Sequence, residues 1–171
     1  MIAIRLATPA DHERIWEIFR EVVAAGDTLA NEPGASREEA LEDWIGRTQA
    51  TYVAELEDGI AGVYMLKPNQ RGRGAHVCNA GYMVASSARR RGVGRAMCEH
   101  SLAKARELGY RAMQFNFVVS TNREAVNLWE HMGFEIIGTL PKAFRHSRLG
   151  FVDAYVMFRR LDPDESKGLP G

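Results

Sequence analysis

At 171 residues with 46% hydrophobic composition, the chain is long enough to bury one core and too short for two ordinary domains. Its 22 Lys plus Arg balance 22 Asp plus Glu, so no overall field draws it to nucleic acid or a membrane surface, and any anion binding must be local. The amino terminus carries Arg5 and Asp11 where a secretory signal needs an unbroken apolar run, and no stretch approaches the roughly 20 apolar residues that span a bilayer.

In chain order, a strand is expected at 2–6, followed by a well-marked helix. Thr8 reads as its N-cap, Pro9 as the first helical residue and Asp11 as the acidic partner three on, with Ile15, Ile18, Phe19, Val22 and Val23 at helical spacing. A second helix opens at Ser36, with Glu39 closing a capping box, and runs to about Arg47. Strands at 51–57 and 60–66 meet at Asp58-Gly59, a tight hairpin. A polar loop at 67–74 leads to a strand at 75–84. After the segment RRRGVG, a helix places Gly94, Cys98, Leu102, Ala105 and Leu108 on one face and stops at Gly109. A strand at 112–119 precedes a fourth helix, read as capped by Thr121 with Glu124 and ended by Gly133. Strands at 135–139 and 152–158 flank a long polar loop at 142–150. The expected domain is 1–160, with a flexible polar tail at 161–171. Short turns make neighbouring strands antiparallel, whereas the helix between 75–84 and 112–119 permits one parallel crossover. The fold class is therefore α/β (α+β), with a mixed, mostly antiparallel, twisted sheet of about seven strands flanked by four helices.

The basic loop raises the question of its ligand. Gly92 and Gly94 let the backbone approach closely, and the first amides of the following helix are directed donors with a positive partial charge. Arg89, Arg90, Arg91 and Arg95 add full charges, which favour a diphosphate over a lone carboxylate. No aromatics interleave the arginines, which argues against nucleic acid, and the G-x-x-x-x-G-K-[ST] pattern of nucleotide kinases is absent. A solvated turn is the plain alternative.

The loop has company. RRRGVG resembles the R/Q-x-x-G-x-G/A diphosphate loop of the GNAT superfamily of acetyl-CoA-dependent N-acetyltransferases, and NREAVNLWEHMGF, about 30 residues on, is similar to that superfamily's N-x-x-A-x-x-L-Y-x-x-x-G-F signature. The segments LKPNQ, NAGYMV, FNFVVSTN and LPKAFRH further resemble a subgroup that includes the yeast acetyltransferase acting on azetidine-2-carboxylate. The resemblance implies two splayed central strands that admit acetyl-CoA, with no metal, and a homodimer. It puts the coenzyme diphosphate on Arg89, Arg90, Arg91, Gly92, Val93, Gly94 and Arg95. It puts the pantetheine arm on the Met83 and Val84 backbone and on Asn122, and includes Asn127 and Trp129 in the cofactor site. Trp129 stands where the family usually has the tyrosine credited as acid toward the coenzyme sulfur, and an indole N–H cannot act as one.

Acetyl transfer to an amine needs oxyanion donors and a route for the amine's proton. A lysine-like amine of pKa about 10.4 must give up about 4 kcal/mol to be neutral near pH 7.4, yet positioning alone can supply about 7–11 kcal/mol of the barrier. Cys78 and Cys98 therefore need not be nucleophiles, and read as free buried thiols in a reducing cytoplasm. Strand alternation separates Gln114 and Asn116 from the apolar Met113, Phe115 and Phe117, and puts Asn79 opposite Tyr82. Asn79 and Asn116 are expected to face the cleft as catalytic residues, structural hydrogen bonding within the sheet being the alternative. Gly81 is expected to permit a bulge that frees a backbone N–H for the acetyl oxygen. Tyr82, Tyr155, His131 and His146 are available in principle as proton donors, with structural roles the default. Tyr82 and Arg145 are expected to bind substrate, Arg145 by holding a carboxylate. The expected activity is N-acetylation of a small-molecule amine such as an amino acid in a ternary complex, with no nucleic-acid or membrane partner. Protein N-acetylation and non-catalytic coenzyme A sensing are the alternatives.

Overall fold

The computed structural model describes residues 1–162. The rest of the expected tail, 163–171, lies outside the described residues. Leu161 is buried and Asp162 pairs with Arg111 and Arg160, so the folded unit continues past residue 160.

Seven strands, β1 (Ala3–Leu6), β2 (Ala50–Leu56), β3 (Gly59–Pro68), β4 (Val77–Val84), β5 (Ala112–Val119), β6 (Glu135–His146) and β7 (Gly150–Arg160), form one sheet in the order β1-β2-β3-β4-β5-β7-β6. Among the described residues only β4 and β5 pair in parallel. The helices are α1 (His12–Ala25), α2 (Arg37–Leu41), α3 (Val93–Glu107) and α4 (Arg123–His131). Among the described residues no helix is long and apolar enough to cross a membrane.

α3 packs so tightly on β3 that a Cβ on Gly62 would sit 2.8 Å from Val93 Cγ1. On the opposite face of the sheet, α2 runs into a π-helical turn at Glu42–Gly46 that drives Trp44 against β4. That packing corrects the reading of Gly81. The β3–β4 register runs without interruption from Gly62↔Val84 to Pro68↔Cys78, so there is no bulge, and a Cβ at Gly81 would lie 3.0 Å from Met65 Cε and 3.3 Å from Trp44. The bulge falls on β5, whose pairing with β7 shifts between Phe115 and Val118.

Two further expectations are corrected. The segment 142–150 is mostly strand: β6 reaches His146, and only a short turn separates it from β7. Lys142 takes a positive φ of 50° there, its N–H donating to Asp153 Oδ1 at 2.9 Å. The cap of α4 is Asn122, whose Oδ1 accepts from Ala125 N, and not Thr121. The Ser36–Glu39 capping box forms as expected.

The entry to α1 is held by charge. Pro9–Asp11 is a 3-10 turn, and Asp11, 6% exposed, accepts from Thr8 N at 2.7 Å and from both terminal nitrogens of Arg5 at 2.7 and 2.9 Å, while Arg5 also reaches Glu55. The Arg5 guanidinium holds the Asp11 carboxyl well below the usual carboxylate range, against the opposing effect of burial. A carboxyl depressed in the folded state stabilises the protein above its unfolded pKa of about 3.9, and that stability is lost as pH falls through the window below it. Asp11→Asn should therefore lower thermal stability at pH 7 by about 2 kcal/mol and flatten the acid arm of a melting-temperature profile below about pH 5.

Candidate active site

The pairing of β4 with β5 stops after three residue pairs, ending at Asn79↔Gln114. Beyond that fork the strands diverge and open a cleft of about 1120 Å³. Ala85 N donates to Ala61 O and Val77 O accepts from Asn69 N, so odd-numbered residues of β4 direct their main-chain groups at β3. The even-numbered residues, Ala80, Tyr82 and Val84, therefore turn theirs toward the cleft. Of the two residues expected to offer main chain to the cofactor, Val84 turns its groups to the cleft, as Tyr82 does, and Met83 turns its groups to β3. Met83 lines the cleft wall as a buried side chain.

At the mouth, the basic loop turns through two left-handed residues, Arg90 at φ 60° and Gly92 at φ 79°, before α3 begins. Ala96 N donates to Gly92 O, which leaves the amides of Gly92, Val93, Gly94 and Arg95 without an acceptor among the described residues. Four donors at a helix N-terminus are an arrangement that can receive an anion, and Arg89, Arg90 and Arg95 line the cleft beside them. Arg95 is shared with Glu99 at 2.9 Å. Arg91 lies outside the cleft lining, drawn 3.1 Å from Asp58 on the β2–β3 turn.

The walls are aromatic on the α3 and α4 side. Trp129, 8% exposed, packs against Tyr82 and Phe115, with ring centroids 4.8 and 5.0 Å away. The Tyr82 hydroxyl points into that layer: Ser101 Oγ donates to Cys98 O, so Tyr82 donates to Ser101 Oγ at 2.7 Å. Burial pushes the Tyr82 hydroxyl well up, so it offers the cleft main chain and ring, not an acid. Burial likewise pushes the Cys78 and Cys98 thiols up to about 12. Ala125 and Leu128 line the mouth with Asn122, whereas Asn127 is exposed on the far side of α4.

At the fork, Asn79 Nδ2 donates to Gln114 O at 2.9 Å, and its Oδ1 has no partner among the described residues. Asn116 lines the same cleft on the β5 bulge, donating to Asn69 Oδ1 at 2.7 Å and accepting from Gln114 Nε2 at 2.9 Å.

The inner end is closed by segments far apart in sequence. After α1, Gly26 makes a left-handed C-cap, and its carbonyl accepts from Ser147 N at 2.9 Å while Ser147 Oγ donates to Ala25 O at 2.9 Å. This staple brings Asp27, Thr28 and Leu29 to the cleft together with His146, Arg148 and Leu149. Arg145, the expected carboxylate ligand, is instead 74% exposed, outside the cleft lining and 4.0 Å from Glu32. Residues 27–29 carry no local motif, and only the fold exposes their place at the site. His131 and Tyr155 lie elsewhere, His131 with its ring bound to Asn127 O.

The acetyltransferase (GNAT) family model matches residues 13–134. The chain belongs to the GNAT acetyltransferase family. Its fold is similar to that of a GCN5-related N-acetyltransferase from Kribbella flavida, at 45% identity and a TM-score of 0.88, covering 93% of this chain and 97% of that one. It is 35% identical over 108 residues to N-acetyltransferase aca1 of Schizosaccharomyces pombe, a match that takes in 63% of this chain and about half (52%) of that relative. Over 162 residues, 92% of this chain and 97% of the other, it is 30% identical to L-amino acid N-acetyltransferase AaaT of Escherichia coli.

Proposed function

We propose that this GNAT protein moves the acetyl group of acetyl-CoA to the amine of a small molecule by direct attack in a ternary complex. The observation that carries the reading is the row of four unpartnered amides at Gly92, Val93, Gly94 and Arg95, set at the mouth of the cleft that opens between β4 and β5. These amides, with Arg89, Arg90 and Arg95, would hold the coenzyme diphosphate. The Tyr82 and Val84 main chain and Asn122 would take the amide-bearing arm, which Trp129 flanks. Acetyl-CoA supplies an activated thioester.

The chain's own part is to position and exclude. Asn79, held by Gln114 O, presents Oδ1 as an acceptor that can orient an attacking N–H, and Asn116 is fixed between two amide partners to bind the acceptor or acetyl oxygen. With thiols pushed up to about 12, neither cysteine is a ready nucleophile. Neither Trp129 nor Tyr82 is an acid for the departing sulfur, and a thiolate of pKa near 8.5 can leave without one.

A cytoplasmic setting belongs to the same reading, supported by two free thiols. A homodimer does too, supported by Ile137, Leu140 and Phe151, exposed on the outer β6–β7 edge. Calorimetry with coenzyme A should show binding, and thiol release from acetyl-CoA should rise above background with a panel of small amines. Binding without release from any amine or peptide would favour a sensor. Release with peptides alone would favour protein acetylation.

A further inference from the structure

Asn116 sits where the sheet stops holding its own strand. The pairing of β5 with β4 has ended at Gln114, and its register with β7 is interrupted from Phe115 to Val118. Two side-chain bonds place the Asn116 amide instead. Gln114 Nε2, on the same strand, donates to Asn116 Oδ1 at 2.9 Å, and Asn116 Nδ2 donates at 2.7 Å to Oδ1 of Asn69, 47 residues away in sequence. Asn69 is half-buried on the β3–β4 connection, outside the cleft lining, and is itself anchored, its N–H donating to Val77 O at 2.8 Å. Strand alternation puts Asn79, Gln114 and Asn116 on the face of the sheet opposite the packed rings of Tyr82 and Phe115. The two bonds fix which way round the Asn116 amide sits. Its oxygen meets a donor and its nitrogen an acceptor, and the reversed amide would set nitrogen against nitrogen and oxygen against oxygen. Of the two hydrogens on Asn116 Nδ2, Asn69 takes one; the other has no partner among the described residues and is left for the cleft that Asn116 lines. Asn79 Oδ1 offers the complement, an acceptor.

Resting on the acetyltransferase reading, we propose that Asn69 is a positioning residue for acetyl transfer, whose carboxamide oxygen holds Asn116 with an N–H toward the cleft. That N–H serves the acetyl oxygen, because a donor set against the attacking nitrogen would engage its lone pair and blunt it. In the step, a neutral amine nitrogen forms the N–C bond and the carbonyl electron pair moves onto oxygen, where Asn116 meets the charge. The pair returns as the C–S bond breaks, the sulfur leaves as thiolate with its electrons, and the amine's proton passes to water. Asn69 touches neither substrate nor coenzyme and acts through Asn116 alone.

The test is a double-mutant cycle read by thiol release from acetyl-CoA, with an amine that the wild type accepts. Asn69→Leu keeps the volume and removes the acceptor, and should lower kcat about ten-fold at saturating amine and acetyl-CoA, with coenzyme A affinity by calorimetry unchanged. Asn69→Asp keeps an oxygen acceptor in the same place and should hold kcat within about two-fold of the wild type. In an Asn116→Ala background, Asn69→Leu should have no further effect on kcat, because the group it positions is gone. A role confined to the stability of the β3–β4 connection would instead lower kcat by the same factor in both backgrounds. That result, an unchanged kcat in Asn69→Leu, or an Asn69→Asp variant as impaired as Asn69→Leu, would overturn the inference and leave the acetyltransferase reading intact. No release from any amine by the wild type would overturn both.

Discussion

Gly94→Leu is expected to abolish measurable coenzyme A binding while leaving the fold at least as stable. A Cβ at Gly94 would meet Leu128 Cδ2 at 3.5 Å and Val84 Cγ2 at 4.0 Å, ordinary contacts that ask nothing of the protein. The position lies in the first turn of α3, where leucine is a better helix former than glycine by up to about 1 kcal/mol. The penalty therefore falls on the ligand. A branched side chain over the free amides of Gly92, Val93, Gly94 and Arg95 keeps a phosphate from reaching them, and two lost charge-assisted bonds at about 1.5–3 kcal/mol each amount to two to four orders of magnitude in affinity. Calorimetry and thermal melting on the same sample separate the two effects. Wild-type affinity in the variant would show that those amides do not hold the diphosphate.

The second large effect is expected at the fork. Asn79→Ala should lower kcat/KM for the acceptor about 100-fold with coenzyme A affinity unchanged, since Asn79 sits where the strands part and away from the basic loop. It removes the donor to Gln114 O and the free Oδ1 together. Loss of the bond to Gln114 O should cost about 1 kcal/mol of stability, so a fall in kcat at saturating acceptor and coenzyme, measured well below the melting temperature, isolates the positioning role. If kcat/KM is retained, Asn79 is a structural brace of the sheet.

Local chemistry made most of the fold readable. Helix caps at Ser36, the glycine stops at Gly109 and Gly133, and the hairpin at Asp58-Gly59 depend on a few neighbouring residues, and so did the anion loop, whose glycines and arginines are consecutive. The second half of β6, beyond the strand expected at 135–139, hid because Pro141, Lys142 and Arg145 lie on an edge with one face open to water, where alternation carries little apolar signal. Gly81 misled because a glycine that admits Trp44 looks, in sequence, like one that kinks a strand. The inner end of the cleft was the least legible part. Asp27 and Arg148 are 121 residues apart, and nothing short of the tertiary staple between Gly26 and Ser147 reveals that they share a chamber.

The parting of β4 from β5 has a consequence for the molecule in a crowded cell. Two stretches of unsatisfied backbone inside one sheet would ordinarily invite a stray extended polypeptide to zip alongside them. Here both lie recessed, roofed by α4 on one side and by the β6–β7 turn with the 27–29 segment on the other. A slender, flexible guest can thread the slot; another protein's edge, with its own neighbours in tow, cannot.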